Sequence, residues 1–210
     1  MSALIDGYLA QLMRSFKHVR PPIDSETLLR LYARKDYPAM LGWIKNSMRL
    51  NLRVGLRIVD QKASSPPMWI ETPQRMPMYG TPEFENTRVV VNVRHDLLKT
   101  KPFNWVVAGF AHELSHVVLF SIGHGLQHEE KAVDLTAMIL GYQQFIVGAE
   151  QTTTKGGGLW SVLLTIVLLP FGILFRPGSS TETSRLGYLT REEAQFAWRY
   201  LTHVAKYQAR

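Results

Sequence analysis

The stretch that most constrains this chain runs from Val107 to Asp134, VAGFAHELSHVVLFSIGHGLQHEEKAVD. It contains His112-Glu113-Leu114-Ser115-His116, the H-E-x-x-H pattern. Residues four apart share one face of a helix, so His112 and His116 can present two imidazole nitrogens to one metal ion. Glu113 then stands beside that ion, where it can take a proton from an activated water. In a chain with seven histidines the pattern arises by chance roughly 0.01 times, so coincidence explains it poorly. The flanking residues Val106, Val107, Ala108, Phe110, Ala111, Leu114, Val117, Val118, Leu119 and Phe120 are apolar on nearly all sides, which predicts a buried helix. Two imidazoles and a carboxylate in such a helix are costly unless bonded or coordinated.

Gly123-His124-Gly125 supplies the left-handed residue that stops this helix. A second helix is expected from Glu129 to about Phe145, and within it Glu130 and Asp134 form an E-x-x-x-D pair on one face. That spacing lets one carboxylate bind metal while the other fixes the tautomer of a ligating histidine. Together the two motifs resemble the gluzincin type of zinc metallopeptidase, the thermolysin-like group, over about residues 111–141. The resemblance implies a Zn2+ site with His112, His116 and Glu130 as ligands, Glu113 as general base and Asp134 as the support behind a ligand. Glu129 is the rival third ligand, but choosing it would put Val133 where the supporting aspartate belongs.

At 210 residues the chain suits one domain with a substantial core. The absence of cysteine excludes a disulfide framework and a Cys-ligated zinc site, and fits a reducing compartment. Met1 to Arg14 carries Asp6 and no continuous apolar core, so a cytoplasmic protein, membrane-associated through the apolar run described below, is expected. The net charge of +7 is weighted toward the N-terminal third. Those basic residues are spread at helical and strand spacing, and neither a helix-turn-helix signal nor aromatic–basic interleaving accompanies them. Solvated faces, not a nucleic-acid partner, are therefore expected.

Three helices are predicted first: Ser2 to Lys17, about Ser25 to Arg34 after the Pro21-Pro22 break, and Tyr37 to Met48. Residues 1–50 thus form a helical segment packed on the core. Residues 51–210 form the proposed zincin-like domain, interrupted by an apolar insertion at about 156–177. From Leu52 to Val59 the period changes to two, which predicts a half-buried strand. Met68 to Glu71 reads as a short strand, Met76 to Pro82 as turn-rich, and Thr87 to Arg94 (TRVVVNVR) as the strongest strand signal. The expected class is α+β and zincin-like: N-terminal helices and a small mixed sheet on the H-E-x-x-H helix and a second ligand-bearing helix. In the class it resembles, the last strand is an edge whose backbone binds an extended peptide, a recognition mode driven by main-chain hydrogen bonds. Val89 to Val93 would hold that place, or serve as a plain core strand.

Thr152 to Gly158 reads as a flexible linker, and Leu159 to Phe175 is a charge-free run of seventeen residues. As a helix that run would be about 26 Å long at ~1.5 Å per residue, short for a bilayer core of ~30 Å and kinked by Pro170. It is expected to touch a membrane surface or a protein partner, with a helix buried in the domain's own core as the alternative. Leu189 to Tyr207 reads as an amphipathic helix with Thr190 as its N-cap.

The predicted activity is hydrolysis of peptide bonds in a peptide or protein substrate by a zinc-activated water, with Glu113 as base. A donor for the oxyanion is also required. Tyr188, Tyr142, His124, His128 and His203 all qualify by residue type, and Tyr188 is preferred because it follows a loop that can return to the site. The competing expectation is a non-catalytic or regulatory binding protein on the same scaffold, acting at a membrane or on a partner. Such a protein would normally have lost Glu113 or a ligand, and here all are present.

Overall fold

The computed structural model describes residues 3–60, 66–156 and 188–208, with side chains up to residue 149 and again from 188. Leu159 to Phe175 lies outside the described residues. The fold is mixed α/β. Three N-terminal helices come first: α1 (Ala3–Phe16), α2 (Glu26–Ala33) and α3 (Tyr37–Ser47). In α1 the buried residues are Ile5, Leu9 and Leu12, an i, i+4, i+7 stripe on one helix face. The Asp24 carboxylate accepts from the Glu26 N–H at the start of α2, and Asp36 caps α3 through the Ala39 N–H. Lys17, Lys35 and Arg49 follow these helices with positive φ, where a cation also suits the negative end of the helix dipole.

Strands β1 (Arg53–Val59), β2 (Met68–Glu71) and β3 (Arg88–Arg94) form a sheet in the order β1-β3-β2. β1 is parallel to β3, and β2 is antiparallel to it. The sheet is therefore mixed, but β3 is its central strand. Both of its sides are already hydrogen-bonded, so Val89 to Val93 cannot serve as a peptide-binding edge. Val89, Val91 and Val93 are fully buried, as a central strand of β-branched residues should be. The edge that touches the H-E-x-x-H helix is β2. Two short helices were not visible in the periodicity: α4 (Pro82–Asn86), capped by Thr81, and α5 (His95–Thr100). Both are too short to display a 3.6-residue period.

Helix α6 (Phe103–Ser121) carries the H-E-x-x-H motif and is buried along almost its whole length. Ser115 and Ser121 satisfy their hydroxyls on the carbonyls of Ala111 and Val118. Gly123, at φ +59°, ends the helix. The His124 N–H bonds the Leu119 carbonyl and the Gly123 N–H bonds that of Phe120, a Schellman closure.

The second ligand-bearing helix is not the single element expected from Glu129 to Phe145. It is α7 (Glu130–Ala137), then a π-type turn (Met138–Tyr142), then α8 (Gln143–Gly156). The break falls at Gly141, whose φ is +103°. The displaced carbonyls find partners in the N-terminal arm: Arg20 N–H bonds Ile139 O and Ile23 N–H bonds Gly141 O, both at 2.9 Å. A Cβ at position 141 would lie 2.6 Å from the Pro21 carbonyl, so that arm can dock only on glycine. Thr152 to Gly156, expected as part of a flexible linker, continue α8 by propagation of its hydrogen bonds. The stretch Glu130–Ala149 is long and apolar enough to span a membrane by composition, but 89% of its most apolar window is buried inside the fold.

The C-terminal helix α9 (Arg191–Gln208) packs against α1 and α8. Thr190 and Glu193 form the capping box: Thr190 Oγ1 accepts from Glu193 N–H, and the Glu193 carboxylate accepts from Thr190 N–H. One apolar core runs from Ile5 in α1 to Leu201 in α9, joining the N-terminal helices to the rest.

Candidate metal centre

Three ligand-type atoms converge where α6 meets α7. His112 Nε2, His116 Nε2 and a Glu130 carboxylate oxygen all lie within 4.8 Å of one another. Glu130 Oε2 is 3.2 Å from His112 Nε2 and 3.4 Å from His116 Nε2. It is buried, yet it accepts no hydrogen bond of good geometry from either ring. Three ligand-type atoms this close together, with the buried Oε2 lacking a hydrogen-bond partner, form an arrangement suited to a shared cation.

The tautomer of His112 supports the same reading. Its Nδ1 lies 2.8 Å from Asp134 Oδ1, and Asp134 is fully buried. With the proton on Nδ1 donated to Asp134, Nε2 of a neutral ring presents a lone pair toward the Glu130 oxygen. Two lone pairs about 3 Å apart repel unless a positive charge stands between them. Without a metal a second proton supplies it. Burial disfavours that proton, but Asp134 and Glu130 outweigh burial and push the pKa of His112 up to about 10. Burial likewise works against ionised Glu130, yet His112 and His116 hold its carboxyl down at about 2. The donor set thus fits a divalent metal: two imidazoles, one carboxylate, and a carboxylate fixing one ring from behind.

Glu113, on the same helix, is also buried. Burial raises its carboxyl pKa, the two imidazoles lower it, and the net direction is upward, toward the range useful to a general base.

Among the proposed oxyanion donors, the structure brings Tyr188 to the site. Its ring stacks on His112 with centroids 5.9 Å apart and planes at 25°. Burial and the neighbouring carboxylates of Glu130, Glu113 and Asp134 raise its pKa, so the phenol keeps its proton and remains a donor. The others are engaged elsewhere. Tyr142 is buried against Ser47, which shares a hydrogen bond with it. His124 Nδ1 accepts from the Leu126 N–H, His128 packs edge-on against Phe120 and so is one ring removed from His116, and His203 packs on Tyr207 in α9. Glu129, the rival ligand, is turned away: its carboxylate accepts from the Tyr8 hydroxyl of α1 at 2.8 Å.

Sequence reasoning did not find Phe120 or the edge role of β2. Phe120 lies one turn after His116 and stacks on it at 6.0 Å and 19°. The i, i+4 spacing of an aromatic after a ligand was the available signal. For β2 there was no local signal, because strand order is set by tertiary pairing.

Comparison with protein-family models, with curated proteins and with solved structures finds no match to this chain.

Proposed function

We propose that the chain is a zinc-dependent metallopeptidase of zincin-like architecture. The observation that carries this reading is the convergence of His112, His116 and Glu130 on one point, with buried Glu113 on the same helix. Bound there, zinc would lower the pKa of a water toward neutrality and polarise the scissile carbonyl. Glu113 takes the proton from the attacking water and passes it to the leaving amine as the C–N bond breaks. The Tyr188 hydroxyl donates to the carbonyl oxygen as negative charge develops there. Asp134 holds His112 with its Nε2 lone pair available. The outer edge of β2, unpaired among the described residues and next to α6, offers main-chain groups to an extended substrate peptide. The charge-free run Leu159–Phe175 is the part of the chain proposed to meet a membrane or a partner protein, from the cytoplasmic side.

Metal analysis combined with a peptide-library cleavage assay tests the proposal. The purified protein should hold about one zinc ion and cleave peptides. Glu113→Gln should retain the zinc and the fold while turnover falls about 10²–10⁴-fold, the usual worth of a positioned base. Absence of both zinc and cleavage would overturn the proposal, and a Glu113→Gln protein working at the wild-type rate would remove Glu113 from its role.

A further inference from the structure

Asp134 does more than hold a histidine. Its Oδ1 accepts from His112 Nδ1, and its Oδ2 accepts from two consecutive peptide N–H groups, Tyr188 at 2.6 Å and Leu189 at 3.2 Å. The carboxylate is fully buried, and these donors come from 54 and 55 residues further along the chain. A second grip lies one turn earlier on α7. There Lys131 Nζ bonds both oxygens of Glu193, at 2.8 and 2.9 Å, and Glu193 also closes the N-terminal cap of α9. Lys131 and Asp134 are i and i+3 on α7, so they fasten the start of α9 to one side of the ligand-bearing helix. Leu189 is itself buried, which fixes the same segment from its apolar side.

A buried carboxylate holding three donors at two oxygens has little freedom to move for one without the others. We propose that the peptide N–H groups of Tyr188 and Leu189 are positioning groups for the metal centre. They act on His112 through Asp134, so metal binding and the seating of residues 188–189 on α7 are reciprocally coupled. The inference rests on the metal-centre reading above. Linkage makes the coupling symmetric: whatever holds Tyr188 and Leu189 in place tightens metal binding, and metal binding holds them in place by the same factor. The chain enters this clamp directly after residues 157–187, which contain the apolar run. The clamp therefore ties the segment that follows that stretch to Asp134 by hydrogen bonds.

Zn2+ binding to the full chain provides the test, read in two ways. In residue-resolved amide exchange, added zinc should slow Tyr188 and Leu189 by about 5-fold or more beyond the protection gained by the remote core amides of Leu41 and Ile44. In the second arm, the α-hydroxy acid analogue of tyrosine at position 188 replaces the amide by an ester. It retains the tyrosine side chain and puts an ester oxygen, which cannot donate to Asp134, in place of the N–H. Its zinc dissociation constant should rise about 5-fold or more, while the same replacement at Leu41 should leave it unchanged. Equal exchange slowing at 188–189 and at the core amides overturns the coupling, as does an ester variant with wild-type zinc affinity. Failure of the unaltered protein to bind zinc at all would overturn the metal-centre reading and this inference with it. Wild-type zinc binding without coupling removes only the latter.

Discussion

The two helices that supply the ligand-type groups share one apolar core but differ in what else holds them. Helix α6 is nineteen residues long, apolar around its circumference, buried almost throughout, and closed by its own Gly123. Helix α7 has eight residues and runs into a π-type turn at Gly141. What places α6 is burial, a property of its own sequence. Helix α7 also buries Ala132, Val133, Leu135 and Ala137, but it is held in addition by polar contacts from distant segments: Tyr8 on Glu129, Arg20 and Ile23 on the turn carbonyls, Glu193 on Lys131, and residues 188–189 on Asp134. The first helix carries its chemistry wherever it packs. The second is correct only when the rest of the molecule has assembled around it.

The sharpest break of this contrast comes on the α6 side. His112→Ala or His116→Ala should abolish stoichiometric zinc while leaving the helix buried, measured as metal content alongside circular dichroism. Retained zinc in either variant would show that the ligands lie elsewhere. On the α7 side, Gly141→Ala should destabilise by about 2–5 kcal/mol, since it combines strain at positive φ with a backbone clash against Pro21. Denaturant unfolding measures it, and a change below about 0.5 kcal/mol would mean the N-terminal arm does not hold the turn.

Smaller effects separate the neighbouring carboxylates. Asp134→Ala should weaken zinc binding by about 10–100-fold, the range for a group that orients a ligand from behind. Glu130→Ala should weaken it further, whereas Glu129→Ala, which loses only the Tyr8 contact, should stay close to wild type. Competitive titration with a chelator orders the three, and a larger loss for Glu129→Ala than for Glu130→Ala would exchange their roles.

The smallest effect expected is at Glu193→Gln, about 1 kcal/mol, from a weakened cap and a lost ion pair with Lys131. Burial opposes ionised Glu193, but Lys131 and the Thr190 N–H overcome it and lower its pKa below the ordinary glutamate value. Its contribution is therefore complete above the unfolded-state pKa near 4.5 and is lost as pH falls through the lower folded value. Thermal unfolding between pH 3 and 7 should show wild type and variant converging at the acid end. A gap that stayed constant across that range would leave the stabilisation unconnected with ionisation.

The sequence by itself determined the features whose causes are local. The pairing of His112 with His116, the stop at Gly123, the stripe of α1 and the capping box of α9 all come from contacts three to five residues apart. Such contacts can be read along the chain in order. The i, i+4 pair Glu130 and Asp134 was legible in the same way, whereas the preference for Glu130 over Glu129 came from the resemblance to the gluzincin pattern. Only the tertiary structure decided the rest. Tyr142, His128 and Tyr188 all qualify by residue type in the linear chain, where only a preceding loop favoured Tyr188, and its stacking on His112 follows once the start of α9 is fastened to α7. Val89 to Val93 looks the same in sequence as an edge or a centre, because a strand's own residues do not say how many neighbours it will have. The break at Gly141 looked like helix because apolar periodicity continues through it. Its cause is an incoming segment more than a hundred residues earlier, whose N–H groups take carbonyls that an unbroken helix would have kept.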